Sequence, residues 1–150
     1  VTDWDDAMGE ALALAERASA VSDVPVGAIV LDPGGAIIGR GFNRREAAHD
    51  PTAHAEVLAL REAASALQTW RLDGCTIVVT LEPCLMCAGA ILQARVPRIV
   101  LGAWDPKAGA TGSQWDVVRD ARIGSKVEVI AGVREAECAS LLTAFFEQRR

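Results

Sequence analysis

Thr76-Ile77-Val78-Val79-Thr80 is a short β-branched run without alternation of apolar and polar residues. A strand with one solvated face alternates, whereas a strand covered on both faces reads as one continuous apolar run. This stretch therefore predicts a central strand with a layer packed on each side. Pro83 follows shortly, and proline is favoured at the first position of a helix. A helix is expected to open there and run to about Ala94.

The flanking sequence continues the same alternation of strand and helix. Upstream, residues 3–19 predict a helix capped by Thr2, with Met8, Ala11, Leu12 and Ala15 at helical spacing. Val26 to Leu31 and Ala36 to Asn43 read as two strands of a hairpin, joined by the turn Asp32-Pro33-Gly34-Gly35. Residues 44–51 form a polar loop, and Thr52 offers a cap for a helix from about Ala53 to Leu67. Downstream come a strand at Arg98 to Ala103 and a long loop at 104–117 containing Pro106, Gly109 and Gly112. A strand at Val127 to Ala131 and a helix at Glu135 to Gln148 complete the pattern. The predicted order is α-β-β-α-β-α-β-β-α, an α/β sheet with helices on both faces.

A chain of 150 residues, 51% hydrophobic and 23% charged, can bury one real core, so a single domain over 1–150 is expected. No apolar run approaches the roughly 20 residues a membrane span needs. The acidic start Val1-Thr2-Asp3-Trp4-Asp5-Asp6 does not resemble a secretory signal, so the expected location is cytoplasmic. A net charge of −5 argues against strong non-specific nucleic-acid binding, which draws on many Lys and Arg contacts to phosphate. Cys75 and Cys138 lie in apolar surroundings and read as small buried residues.

Two segments carry the chemistry, and each sits at a predicted helix start. One is His54-Ala55-Glu56; the other is Pro83-Cys84-Leu85-Met86-Cys87. Cys84 and Cys87 are three apart and share a helix face, and a helix N-terminus favours thiolate. Two thiolates and one imidazole make three zinc ligands, with a fourth position open for water as in a catalytic site. Glu56 is then placed to carry protons. Residues two apart on a regular helix diverge, so His54 and Glu56 can share the site only if the helix is just beginning there. Taken alone, the Cys-x-x-Cys pair also fits a dithiol redox site, and His49 could complete a closed Cys2His2 site. His-x-Glu followed about thirty residues later by Pro-Cys-x-x-Cys is the pattern of zinc-dependent nucleobase deaminases.

Longer matches accompany this pattern. They include Pro25-Val26-Gly27-Ala28, Asp50-Pro51-Thr52-Ala53-His54-Ala55-Glu56 and Thr80-Leu81-Glu82-Pro83-Cys84-Leu85-Met86-Cys87-Ala88-Gly89-Ala90. They continue through Asp105-Pro106-Lys107, Gly112-Ser113, Glu137-Cys138-Ala139 and Phe145-Phe146. On these residues the chain resembles the bacterial tRNA-specific adenosine deaminases of the cytidine deaminase-like superfamily, which convert the wobble adenosine of a tRNA anticodon to inosine.

The resemblance implies a three-layer α/β/α sandwich around a five-stranded mixed sheet, usually as a homodimer with the tRNA anticodon loop lying across both subunits. It implies one Zn2+ per subunit held by His54, Cys84 and Cys87, with Glu56 as proton carrier. It places Asn43 and the backbone of Ala55 against the base, Asp105 near the target ribose, and Lys107 at the substrate. Each of these has a plainer reading. Asn43 and Asp105 can be turn residues, and Lys107, Arg44 and Arg45 can be solvated charges. Phe145 and Phe146 can belong to the core, and His49 can simply pack its loop. A deaminase of free guanine or cytosine would share the same zinc site, and a zinc module without turnover would share its ligands.

Overall fold

The computed structural model describes residues 3–124 and 126–149. The element order is α1 (Asp5–Ala20), β1 (Gly27–Leu31), β2 (Ile37–Phe42), α2 (Ala55–Leu67), β3 (Thr76–Leu81), α3 (Leu85–Gln93), β4 (Arg98–Ala103), β5 (Glu128–Ile130) and α4 (Glu135–Glu147). The order agrees with the sequence pattern element for element. The strands form one five-stranded sheet in the order β2-β1-β3-β4-β5. β1 runs antiparallel to β2 and to β3, whereas β3, β4 and β5 run parallel, so the sheet is mixed.

The non-alternating run at Thr76 to Thr80 is covered on both sides. Ile77 and Val79 pack with Ala28, Val30, Ile99 and Leu101 against Ala59, Ala63, Ala88 and Ile91 of α2 and α3. Val78 points the other way, packing with Ile29 and Val100 against Met8, Leu12 and Cys138 of α1 and α4. Strand side chains alternate between faces. Two opposed helix layers therefore force both sets to be apolar, and the result is the α/β/α sandwich.

The helix starts depart from the sequence expectation in ways that matter for the site. Thr2 lies outside the described residues. α1 begins at Asp5, whose N–H donates to the Asp3 carboxylate at 2.9 Å. Thr52 does not cap α2: Asp50 accepts both the Thr52 N–H and its hydroxyl, each at 2.8 Å, and the cap position passes to His54. Pro83 does not open α3. Its carbonyl accepts the Ala110 N–H at 2.9 Å, which ties it to the 104–117 loop, and Cys84 becomes the cap.

α2 lies unusually close to β2. A Cβ added at Gly41 would collide with the Ala55 carbonyl oxygen, and one at Gly39 with that of Ala59. The two glycines let the helix backbone rest directly on the strand, and this sets the height of the first turn of α2 above the sheet. Gly41→Ala is expected to destabilise the protein by about 1–3 kcal/mol, the usual cost of overpacking, and to weaken metal retention by lifting that turn. Denaturant unfolding with elemental analysis checks this; wild-type values for both would show that the close approach is not required.

Candidate active site

His54 caps α2 with an extended backbone, φ −76° and ψ 152°. This resolves the difficulty of two side chains two residues apart. His54 leaves from extended chain and Glu56 from the first helical turn, so both reach the same cavity. Cys84 caps α3 in the same way, at φ −74° and ψ 177°, and Cys87 lies in the first turn behind it. Two helices thus present their N-terminal ends side by side, where unpaired N–H groups and the helix dipole favour negative charge.

The three candidate ligands converge on one point. His54 Nδ1 lies 3.6 Å from Cys84 Sγ and 3.5 Å from Cys87 Sγ. All three ligand atoms lie within 4.8 Å of one another. Tetrahedral zinc with Zn–S of about 2.3 Å and Zn–N of about 2.05 Å places nitrogen and sulfur about 3.55 Å apart. The donor set and its spacing therefore fit zinc. The electrostatics fit as well: the Cys87 thiol donates to Cys84 and, with His54, holds the Cys84 thiol down at about 4. The hydrogen bond to Cys84 and then burial push Cys87 well above the usual thiol range, and the Cys84 contact raises His54.

Glu56 is 4% exposed. Burial raises its carboxyl to about 7, with the nearby sulfur of Cys84 adding to the shift. A group titrating near neutrality is suited both to accept and to return a proton at working pH. The cavity in front of it has a volume of about 180 Å³. Pockets that take drug-sized ligands run to about 300–1,000 Å³, so this one suits a single ring system.

The other predicted residues divide into those at the cavity and those away from it. Asn43 is buried and lines the cavity, and it is also a turn residue: its Oδ1 accepts from the Arg45 N–H at 3.1 Å and its Nδ2 donates to the Val24 carbonyl at 3.2 Å. One Nδ2 hydrogen stays free for a ligand. Ala55 lines the cavity from the first residue of α2, and Asp105 and Arg45 line it from their loops. Asp105 Oδ1 accepts from the N–H groups of Lys107 and Ala108, at 3.1 and 3.3 Å, and closes a turn. Lys107 is exposed and does not line the cavity, and neither does Arg44. His49 is exposed on a left-handed backbone and stands outside the ligand cluster, which removes it from a closed Cys2His2 site. Cys75 and Cys138 are buried free thiols, as their apolar surroundings predict. Phe145 belongs to the core, but Phe146 is exposed.

Two parts of the site escaped the sequence reading. Val24, Val26 and Leu81 form apolar walls, and nothing in strand periodicity separates them from ordinary core. Glu82 is a buried carboxylate at the cavity's edge. Its signal was visible: a charged residue set between a doubly buried strand and Pro83 needs a reason to be there.

The paired helix starts, the His-Cys-Cys cluster and the buried Glu define a zinc deaminase site, and the chain belongs to the cytidine and deoxycytidylate deaminase zinc-binding family, whose model matches residues 2–103. Within that family it groups with the tRNA-specific adenosine deaminases. It is 48% identical over 143 residues to the tRNA-specific adenosine deaminase of Haemophilus influenzae, covering 95% of this chain and 83% of that one. A solved structure from a study of A-to-I editing by tRNA:A34 deaminases at the wobble position superposes with a TM-score of 0.86 at 41% identity, covering 90% of this chain and 97% of the other. The chain is also 53% identical over 146 residues, or 97% of its length, to part of a Deinococcus deserti protein called tRNA(Ile)-lysidine synthase, of which it spans 27%.

Losing only a hydrogen-bonding partner of a ligand costs about 10–100-fold in metal affinity. Cys87→Ser is therefore expected to lose at least that much zinc affinity, together with activity. Elemental analysis of the purified variant checks this, and zinc at the wild-type level would remove Cys87 from the ligand set.

Proposed function

We propose that this chain deaminates the wobble adenosine of a tRNA anticodon to inosine, as one domain over residues 1–150 with one zinc held by His54, Cys84 and Cys87. The observation that carries this reading is the convergence of His54 Nδ1 with both sulfurs at 3.5–3.6 Å beside the buried Glu56. The tRNA substrate is supported by the relatives that bear that name and by the cavity, whose volume of about 180 Å³ suits one base turned out of a loop.

When bound, zinc supplies Lewis-acid activation of a water at neutral pH. The chain's own residues do the rest. The Glu56 carboxylate takes one proton from the attacking water and gives it to the ring nitrogen beside the reacting carbon. It then takes the proton of the hydroxyl formed on that carbon and gives it to the amine, which departs as ammonia while the carbonyl forms. Asn43 and the backbone of Ala55 hold the base edge. Asp105, whose Oδ1 is engaged in its own turn, offers Oδ2 to the ribose hydroxyl that distinguishes RNA from DNA. Lys107, Arg44 and Arg45 lie on the flanking loops as phosphate contacts.

In the test, the zinc-loaded chain and Glu56→Gln are assayed on an anticodon stem-loop, on the same loop as DNA, and on free adenine and guanine. Wild type should form inosine in the RNA loop far faster than on the other substrates. Glu56→Gln should keep zinc and fold but lose at least about 10²–10⁴-fold in rate, the scale of general acid–base catalysis. Rapid turnover of a free base with none of the loop would overturn the substrate, and near-normal rates in the variant would overturn the role of Glu56.

The homodimer and the cytoplasmic location belong to the same proposal. No helix among the described residues is long and apolar enough to cross a membrane. A groove of about 490 Å³ between α2 and α3 is lined by Val57, Leu60, Ala64, Trp70, Leu72 and Ala90, with Trp70 59% exposed. Leu85 and Met86 stand exposed at the start of α3. Apolar surface next to the helices that carry the site suits a second copy of this chain. Sedimentation at micromolar concentration is expected to give a dimer, and a monomer there would remove that part of the proposal.

A further inference from the structure

Glu82 is 2% exposed, and the chemistry proposed above does not use it. The partners of its carboxylate are all donors from the 104–113 part of the long loop. Oε1 accepts from the Asp105 N–H at 2.9 Å and from the Ser113 hydroxyl. Oε2 accepts from the N–H groups of Thr111 and Ser113, at 3.0 and 3.1 Å. Its own N–H donates to the Ala103 carbonyl, anchoring it to the end of β4. A Cβ on Gly109 would overlap the carboxylate, so the loop folds tightly around it. This segment has no regular ladder to satisfy its backbone, and Thr111 is fully buried. The carboxylate supplies the acceptors that a neighbouring strand would otherwise provide.

The same segment forms one wall of the cavity through Asp105 and Ala108. We infer that Glu82 is a positioning residue: it holds the 105–113 segment against the Cys84 end of the site and so sets where Asp105 meets the substrate. This rests on the RNA deaminase reading for its substrate but not for its geometry. Glutamine in its place would turn an NH2 group toward donors whichever way it rotates. A wall that contacts the substrate equally before and during reaction acts on KM rather than kcat.

The experiment compares wild type, Glu82→Gln, Ser113→Ala and Gly109→Ala as full-length zinc-loaded enzymes. Zinc content, thermal unfolding and steady-state kinetics on the anticodon stem-loop are measured for each. Glu82→Gln should keep its zinc and raise KM roughly 10-fold or more, the scale of an unsatisfied buried donor. Its kcat should stay within about 3-fold of wild type, as loss of uniform binding requires. Gly109→Ala, which displaces the carboxylate without changing it, should show the same split, and Ser113→Ala a smaller one. Should Glu82→Gln fail to fold, the other two variants decide. Loss of zinc in step with activity, a fall in kcat at constant KM, or unchanged kinetics would overturn the inference. If wild type ignores the stem-loop and deaminates a free base, the substrate proposal fails alone, and the KM split is then read on that base.

Discussion

The contact of one imidazole nitrogen with two sulfurs at 3.5 and 3.6 Å places a demand on the whole chain. It requires α2 and α3 to begin side by side on the same face of the sheet. Each must also begin one residue after a candidate ligand, with that ligand on extended backbone. The glycines of β2 meet part of this demand by letting α2 rest on the strand. Pro83 meets another part by tying the approach to α3 to the neighbouring loop. The central position of β3, with parallel β4 beside it, leaves the start of α3 next to that of α2.

Burial does the electrostatic work once the elements are in place. A surface glutamate would be fully ionised at neutral pH and would hold a proton poorly. Glu56 lines the same cavity as His54 and Cys84 with 4% exposure, and desolvation moves it to about 7. The same enclosure limits the cavity to about 180 Å³, so the environment that tunes the acid also restricts what can reach it. A net charge of −5 gives the protein little general attraction for a polyanion. Under the proposed function, recognition of RNA rests on shape and on the few groups at the cavity mouth, among them Asp105 of the 104–117 loop.

The order of elements was legible in the sequence because period and punctuation are local. The doubly buried reading of Thr76 to Thr80 needed only the absence of alternation, and the two opposed core clusters bear it out. The His-Cys-Cys cluster was legible because these residue types at this spacing, together with His-x-Glu, match a known zinc-site pattern. The helix starts were less so. Thr52 and Pro83 have the right chemistry for their expected positions, but Asp50 and Ala110 engaged them first. Local propensity cannot register a hydrogen bond from elsewhere in the fold.

The sequence by itself determined the succession of helices and strands, the apolar set on each face of the sheet, and the candidates for metal ligand and proton carrier, of which the fold brings His54, Cys84 and Cys87 together. These follow from side-chain chemistry and short-range spacing. Only the tertiary structure decided that His54 and Cys84 are themselves the helix caps, that Glu56 is buried deeply enough to titrate near neutrality, and that Glu82 organises a loop more than twenty residues away. Each of these depends on what packs against a residue from distant parts of the chain. Desolvation and long-range hydrogen bonding are set by that packing and leave no period in the sequence.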